Sequence, residues 1–198
     1  MLDLRCCDCK DLMKEFSDKH FDLAIVDPPY KDDVKGLKMG YNRSHFNFNY
    51  FKAPDQEYIN ELFRVSKNQI IWGFNYFLEL LPNTDNVIVW DKHQNGHFSE
   101  CELAWSSLGP TKIFDRPYQR DIGNKIHPTQ KPVELYDFCL KNFAKPGYKI
   151  LDTHLGSGNI GISCHYYGCD LTASEIDERC FEKALKNIKE NTIQLKAF

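Results

Sequence analysis

Short apolar runs alternate with amphipathic segments along the 198-residue chain. This order is typical of a mostly parallel β-sheet covered by helices. The clearest helix lies near the C-terminus, where apolar residues from Ile176 to Ile188 recur at helical spacing with charged residues between them. An apolar stripe of this kind needs a core to pack against, so the pattern predicts a globular α/β fold.

The pattern predicts a doubly wound, mostly parallel sheet of seven strands with five helices. The strands are expected at residues 3–7, 22–26, 69–72, 87–90, 102–106, 149–151 and 170–174. The helices are expected at residues 10–16, 55–65, 133–143, 160–167 and 177–191. Residues 30–51 and 107–126 show neither period and are predicted to be long loops, which in a compact domain usually carry function.

The length predicts one domain, spanning residues 1–198, because domains usually hold about 100 to 200 residues. Apolar residues make up 42% of the chain and aromatic residues 14%, which argues against disorder. No apolar run approaches the roughly 18 residues of a membrane span, so a soluble protein is expected. The first twelve residues, MLDLRCCDCKDL, contain charges and lack an uninterrupted apolar stretch, so no signal peptide is predicted.

Eight cysteines are scattered through the predicted strands and helices. In a chain without a secretory signal this distribution favours reduced thiols and a cytoplasmic location. Cys6 and Cys9 form a lone C-x-x-C, and no second pair stands at the spacing of zinc ligands. Packing at a strand end explains these two residues better than a metal does, so no metal site is expected.

Charge is unevenly distributed, although the net charge is only −3. Residues 31–52 and residues 108–131 each hold five basic and two acidic residues, interleaved with aromatics. Such segments suit a phosphate backbone and an unstacked base, but solvated loops would look similar. The basic side chains expected to contact nucleic acid are Lys31, Lys35, Lys38, Arg43, Lys112, Arg116 and Arg120.

The stretch ILDTHLGSGNIGI, residues 150–162, combines a strand, a glycine-rich turn and a helix. Gly156 and Gly158 would let the backbone approach a ligand at the helix N-terminus, although such glycines also occur in plain tight turns. Glu175 ends the next apolar strand, where a carboxylate can accept hydrogen bonds from ribose hydroxyls. The turn lacks the lysine and hydroxyl of a P-loop, and its dinucleotide spacing is incomplete. A nucleoside without a pyrophosphate is therefore the predicted ligand.

The stretch AIVDPPY stops a strand with Asp27, Pro28, Pro29 and Tyr30. Two prolines hold the loop extended and supply no N–H donors. The Asp27 carboxylate and the Pro28 carbonyl can therefore each accept one hydrogen of a flat exocyclic amine, while Tyr30 stacks on the ring that carries it. Standing alone, the motif would also fit a plain proline turn with a capping aspartate.

Three motifs together resemble one known family. They are DPPY at 27–30, HPTQKP at 127–132 before a helix, and LDTHLGSGNIG at 151–161 followed by Glu175. They resemble the amino-methylating DNA methyltransferases that use S-adenosylmethionine, in the group with a permuted motif order. CDCKDLM at the N-terminus resembles a further cofactor element, and IIWGFNYF and SECELAWSS look like phage-encoded members. The resemblance implies a single Rossmann-like methyltransferase domain with circularly permuted motifs.

The resemblance also implies roles for individual residues. Lys131, Thr129 and the helix start after Pro132 would lie near the methionine carboxylate of the cofactor. Asp152 and the turn through Ser157 would face its amino end. Glu175 would bind the ribose, Ile176 would pack on the adenine and Asp8 would accept from the adenine amine. The full set expected at the cofactor is Asp8, Cys9, Asp27, Thr129, Lys131, Asp152, His154, Gly156, Ser157, Gly158, Glu175 and Ile176.

Two departures from the family pattern concern the cofactor loop. Thr153 and His154 stand where the family commonly has proline and phenylalanine. These substitutions are expected to alter the affinity for the cofactor without removing the site.

The implied reaction is direct methyl transfer to an amine of a base flipped out of double-stranded DNA. The catalytic residues would be Asp27, Pro28, Pro29 and Tyr30. Aspartate at position 27 favours adenine N6 over cytosine N4. The alternatives are cytosine N4, RNA, a protein glutamine amide, or an inactive protein that binds S-adenosylmethionine and DNA.

Target recognition is expected to depend on residues 92–126, because the resemblance places the target-reading segment before HPTQKP. This segment is short, which predicts a short or relaxed recognition sequence. The alternative is a homodimer in which the second subunit completes the contacts with DNA.

Overall fold

Eight strands form one mixed sheet in the part of the chain that the structure describes. The structure is a computed structural model and describes residues 1–30, 52–94, 99–118, 126–127 and 129–192. The strands are β1 (Leu2–Cys6), β2 (Phe21–Val26), β3 (Ser66–Trp72), β4 (Val87–Asp91), β5 (Cys101–Ser106), β6 (Lys112–Asp115), β7 (Lys149–Asp152) and β8 (Asp170–Glu175).

Five α-helices connect and cover these strands within the same described residues. They are α1 (Cys9–Lys14), α2 (Gln56–Val65), α3 (Val133–Phe143), α4 (Asn159–Tyr167) and α5 (Glu178–Thr192). Two short 3₁₀ helices, Phe74–Tyr76 and Leu78–Leu80, follow β3. No helix in the described residues is long and apolar enough to cross a membrane.

The strand order across the sheet is β1-β8-β7-β2-β3-β5-β4-β6. The five strands from β1 to β3 in this order are parallel, whereas β5 runs antiparallel to both β3 and β4. The carboxyl ends of β1, β8, β7 and β2 therefore meet at one edge of the sheet. Parallel α/β sheets bind ligands at this edge.

Helices pack on both faces of the sheet because β2 is apolar on both sides. Leu23 and Ile25 join a core with α3, α4 and α5, whereas Ala24 and Val26 join a second core with α1 and α2. Successive side chains of a strand point to opposite faces, so the continuous apolar run of β2 fills both cores. The expected doubly wound α/β architecture is confirmed.

The number of strands differs from the expectation. β6 lies inside the segment 107–126 that was predicted to be a loop, and it pairs in parallel with β4, with Val89 opposite Ile113. A four-residue strand at the edge of a sheet carries too few alternating positions to be recognised locally, and Ile113 is largely exposed. Within the described residues the sheet therefore has eight strands rather than seven, while the permuted motif order stays a prediction.

Candidate active site

The DPPY motif follows β2 directly, at the ligand-binding edge of the sheet. Pro28 is buried and Pro29 is partly buried, which fixes the loop where it leaves the strand. Asp27 Oδ1 accepts a hydrogen bond from Tyr30 Oη at 2.8 Å, and Asp27 Oδ2 lies 2.5 Å from Lys131 Nζ. Burial raises the pKa of Asp27 above its usual value, although the nearby Lys131 ammonium opposes this shift.

Lys131 lies in the centre of a buried charge cluster. Its Nζ is 3.1 Å from Glu102 Oε2 and donates to Tyr30 Oη at 3.2 Å, in addition to its contact with Asp27. Burial alone would lower the pKa of Lys131, but the two carboxylates outweigh it and raise the pKa above its usual value. In this structure the ammonium pairs with Asp27, Tyr30 and Glu102, and its expected position near the cofactor carboxylate stays a prediction.

Glu102 and Lys92 complete this cluster, and neither was predicted. Glu102 Oε1 is 3.2 Å from Lys92 Nζ, and Lys92 is almost fully buried. Burial would raise the pKa of Glu102, but Lys131 and Lys92 hold it below its usual value. A glutamate inside the otherwise apolar strand CELAWS was the sequence signal for this position.

Contacts with Tyr76 and Gly73 fix the position of Tyr30 beside Asp27. Its ring stacks on the ring of Tyr76, with centroids 5.0 Å apart and planes inclined by 11°. Gly73 leaves room for it, because a Cβ at that position would lie 1.9 Å from a ring carbon of Tyr30. The backbone of Gly73 also has φ +70°, which favours glycine.

A cavity of about 530 Å³ lies at the carboxyl ends of β1 and β8. This volume suits a small-molecule ligand. Five residues of the predicted cofactor set line it, namely Asp8, Cys9, His154, Glu175 and Ile176. Tyr58 and Thr153 also line it and were not in that set.

Glu175 and the glycine turn form one hydrogen-bonded unit. Glu175 Oε2 accepts from the backbone N–H of Gly156, and Oε1 accepts from that of Asp177, both at 3.0 Å. Gly158 packs against α5. It has φ +78°, and a Cβ at this position would lie 3.0 Å from the Ala184 carbonyl oxygen. This glycine therefore allows α4 and α5 to pack closely, and the expectation that its backbone approaches the ligand stays a prediction.

Three further predicted cofactor residues do not line the cavity. Asp152 is buried at the end of β7 and accepts a hydrogen bond from the His154 backbone N–H at 3.0 Å; burial raises its pKa to about 7. Ser157 is buried, and its carbonyl accepts from Asn187. Thr129 is exposed, and its hydroxyl lies 3.3 Å from a ring nitrogen of His127.

The two departures from the family pattern form a polar chain with α2. Tyr58 Oη is 2.7 Å from Thr153 Oγ1, which is 2.9 Å from His154 Nδ1. Burial lowers the pKa of His154 to about 4, so the imidazole is neutral at physiological pH. A neutral imidazole thus stands in the cavity wall where the family commonly has an apolar ring.

Comparison with known proteins decides the family. Residues 85–186 match the family model of N6/N4 DNA methylases, which is more than half of the chain. The chain belongs to the N6/N4 DNA methylase family. The resemblance carried by DPPY, HPTQKP and LDTHLGSGNIG is confirmed.

Relatives of this methylase match it over nearly its whole length. The type II methyltransferase M.HpaI of Haemophilus parainfluenzae is 21% identical, over 93% of this chain and 73% of its own. The M1.HpyAVI complex with SAM has a TM-score of 0.64 at 17% identity, covering 95% of this chain and 99% of that one. The cytosine-N4-specific PvuII DNA methyltransferase has a TM-score of 0.65 at 12% identity, covering 98% and 88%. At these identities the solved structures show a shared fold.

The predicted DNA-contacting residues of the methylase fall into three groups. Lys112 is partly exposed on the edge strand β6. Arg116 is buried and pairs with Glu134 at 3.2 Å, so the expectation that it contacts a phosphate backbone from the surface is wrong. Lys31, Lys35, Lys38, Arg43 and Arg120 lie outside the described residues.

Proposed function

We propose that this methylase transfers a methyl group from S-adenosylmethionine to the N6 amine of adenine in double-stranded DNA. The observation that carries the proposal is the position of Asp27. Its partly buried carboxylate ends β2, next to two prolines, on the same sheet edge as a nucleoside-sized cavity. Asp27 can accept hydrogen bonds from an amine, and a carboxylate in the cavity can accept hydrogen bonds from a ribose. Both properties suit this reaction.

The cavity fits the cofactor by its size and its donor set. Glu175 and Asp8 supply carboxylates, which can accept further hydrogen bonds besides those from Gly156 and Lys10. Ile176 is 40% exposed on the cavity wall, where it can pack on an adenine ring. When bound, S-adenosylmethionine supplies an electrophilic methyl group on a sulfonium sulfur.

The catalytic loop would orient the amine of the target base. Asp27 and the Pro28 carbonyl each accept one N–H, which turns the nitrogen lone pair out of conjugation and towards the methyl group. The N–C bond forms as the C–S bond breaks, and sulfur keeps the electron pair of that bond. The nitrogen then loses one proton, which Asp27 can accept because burial raises its pKa.

Aspartate at position 27 supports adenine as the target. Cytosine N4 is the second candidate, because the fold is shared with a cytosine-N4-specific enzyme and both amines suit the same acceptor pair. In either case the target base must leave the duplex, at a cost of a few kcal/mol. Tyr30 would stack on the flipped base.

The remaining assignments extend the proposal. We infer that residues 1–198 act as one methyltransferase domain and that residues 92–126 contain the target-reading segment. A short or relaxed recognition sequence, or a homodimer, would follow from the small size of this segment. The eight free cysteines support a cytoplasmic location.

The proposal is tested by incubating the protein with tritiated S-adenosylmethionine and double-stranded DNA. The DNA is then hydrolysed and its nucleosides are identified by mass spectrometry. N6-methyladenine is the expected product, whereas N4-methylcytosine would keep the reaction and change the base. The absence of any methylated base would overturn the proposal.

A further inference from the structure

Each oxygen of the Asp27 carboxylate already has a partner within the protein. Tyr30 donates to one oxygen at 2.8 Å, and Lys131 Nζ lies 2.5 Å from the other. A substrate amine that approaches either oxygen competes with Tyr30 or Lys131 for it, and a group displaced in this way binds another acceptor.

Glu102 is close enough to Lys131 and Tyr30 to be this acceptor. Its Oε2 is 3.1 Å from Lys131 Nζ and 3.5 Å from Tyr30 Oη. Both groups that occupy Asp27 therefore already contact one oxygen of Glu102. A small rotation of either side chain strengthens that contact and frees Asp27.

The sheet topology explains why Glu102 can reach the site. β5 runs antiparallel to β3, and Ala104 pairs with Trp72 at the end of β3. The residues of β5 before Ala104 therefore extend beyond the end of β3, and the Leu103 carbonyl accepts a hydrogen bond from Gly73. This extension projects Glu102 over the catalytic loop.

Lys92 holds Glu102 in place from the other side. Its Nζ is 3.2 Å from Glu102 Oε1 and lies about 6 Å from the ring centroids of Trp90 and Tyr118. The two lysines and the two carboxylates balance in charge. A buried cluster of this kind tolerates a shift of hydrogen bonds better than the loss of one charge.

We propose that Glu102 is a positioning residue for methyl transfer, which accepts Lys131 and Tyr30 when the target amine binds Asp27. The inference rests on the proposed function. It assigns a role in substrate exchange to a residue outside the DPPY motif.

The test compares Glu102→Gln with wild type in steady-state methylation across pH 5 to 9. Glutamine keeps the size and an acceptor oxygen but removes the charge, so Lys131 pairs with Asp27 alone and competes with the amine. We expect kcat at pH 8 to fall at least tenfold, with the dissociation constant of S-adenosylmethionine unchanged within twofold. The acid limb of the kcat profile should move to lower pH, because the Glu102 charge that raises the pKa of Asp27 is gone.

Other titratable groups near the cluster are the same in both proteins. Tyr58 from α2, Tyr136 from α3 and Asp152 from β7 interact electrostatically with Asp27, and Cys139 from α3 interacts with Lys131. A shift of the acid limb therefore reports the removed charge.

Two variants separate positioning from general damage. Glu102→Asp keeps the charge and should hold the acid limb at the wild-type pH. Glu190→Gln removes an exposed carboxylate on α5, outside the proposed target-reading segment, and should leave kcat and the pH profile unchanged. If Glu102→Gln does not fold, the double variant E102Q/K92M leaves one ammonium facing one carboxylate, and the same tenfold loss of kcat is expected.

The outcomes are distinguishable. A wild-type protein that methylates no base overturns the proposed function and this inference with it. If the wild type is active and a folded Glu102→Gln or E102Q/K92M variant has an unchanged kcat, this inference alone is overturned. A uniform loss of kcat in Glu102→Gln at all pH values, without a shift of the acid limb, shows a merely structural role and also overturns it.

Discussion

The ring of Tyr30 lies parallel to the ring of Tyr76, with 5.0 Å between their centroids. One tyrosine belongs to the loop after β2 and the other to the 3₁₀ helix after β3, so neighbouring parallel strands bring them together. Tyr76 is 46% exposed. The ring of Tyr30, which we propose stacks on a flipped base, is therefore supported by the ring of Tyr76.

Replacing Tyr76 should weaken catalysis without affecting the cofactor. An aromatic pair contributes about 0.5–1.5 kcal/mol beyond its buried area, so Tyr76→Ala should lower kcat/KM for DNA by about two- to twelvefold. Tyr76→Phe keeps the ring and should stay close to wild type. Steady-state kinetics with short duplexes checks this, and equal losses in both variants would contradict a stacking role.

Gly73 should be intolerant of a side chain for a reason beyond its backbone angle. Gly73→Ala would place a Cβ against the ring of Tyr30, whereas Gly147 also has a positive φ, of +84°, with no atom within 4 Å of its Cβ position. Both alanine variants should lose about 1–2 kcal/mol of unfolding free energy from the left-handed conformation.

Only Gly73→Ala should also lose methylation, by more than tenfold, because it displaces Tyr30. Thermal unfolding and kcat measured on both variants separate the two effects. Similar activity in the two variants would show that Tyr30 has another acceptable position.

Removing the Asp27 carboxylate should abolish methylation while the cofactor still binds. We expect Asp27→Ala to lose at least about a hundredfold in kcat, since a positioned proton acceptor contributes about 10²- to 10⁴-fold. Calorimetric binding of S-adenosylmethionine should change little, because Asp27 does not line the cavity. Asp18→Asn, an exposed carboxylate ahead of β2, is the control. Loss of cofactor binding in Asp27→Ala would mean that the catalytic loop is misassigned.

Binding of the cofactor should be coupled to the ionisation of Asp152. Burial raises the pKa of this carboxyl to about 7, and Asp27 and Glu175 add to the shift. A cationic amino group bound beside it would favour the ionised form, so Asp152 must release its proton on binding below pH 7. The affinity should therefore rise about tenfold between pH 6 and pH 8.

Calorimetry in two buffers of different ionisation enthalpy measures this proton release directly. Asp152→Asn should bind with the same affinity at both pH values. A wild-type affinity that does not change with pH would place the amino end of the cofactor elsewhere.

Local motifs made part of this site predictable from sequence. DPPY ends an apolar strand, and Glu175 ends another, so each side chain had to lie at the carboxyl edge of a parallel sheet. The pocket residues Asp8 and Ile176 followed from the family resemblance instead. Asp27 and Glu175 each lie at the end of an apolar run in the sequence, so their position at the sheet edge could be predicted without knowing which strands pair.

The charge cluster was not predictable in the same way, because its members come from separate strands and loops. Lys131 stood in a recognised motif, but its contact with Glu102 depends on β5 running antiparallel past β3. Arg116 illustrates the opposite error: a basic residue in an apparent loop is buried against Glu134 once β6 pairs with β4. Charge counted along a chain does not reveal which charges face solvent.

The extension of β5 beyond β3 sets a limit on how this methylase can be re-engineered. Exchanging residues 92–126, the segment proposed to read the target, would also exchange Lys92 and Glu102. The graft would bring a foreign electrostatic environment to Asp27 and Lys131, which remain with the host. A graft that begins after Glu102 would keep the cluster intact, so the segment proposed to read the target shares residues with the proposed catalytic site.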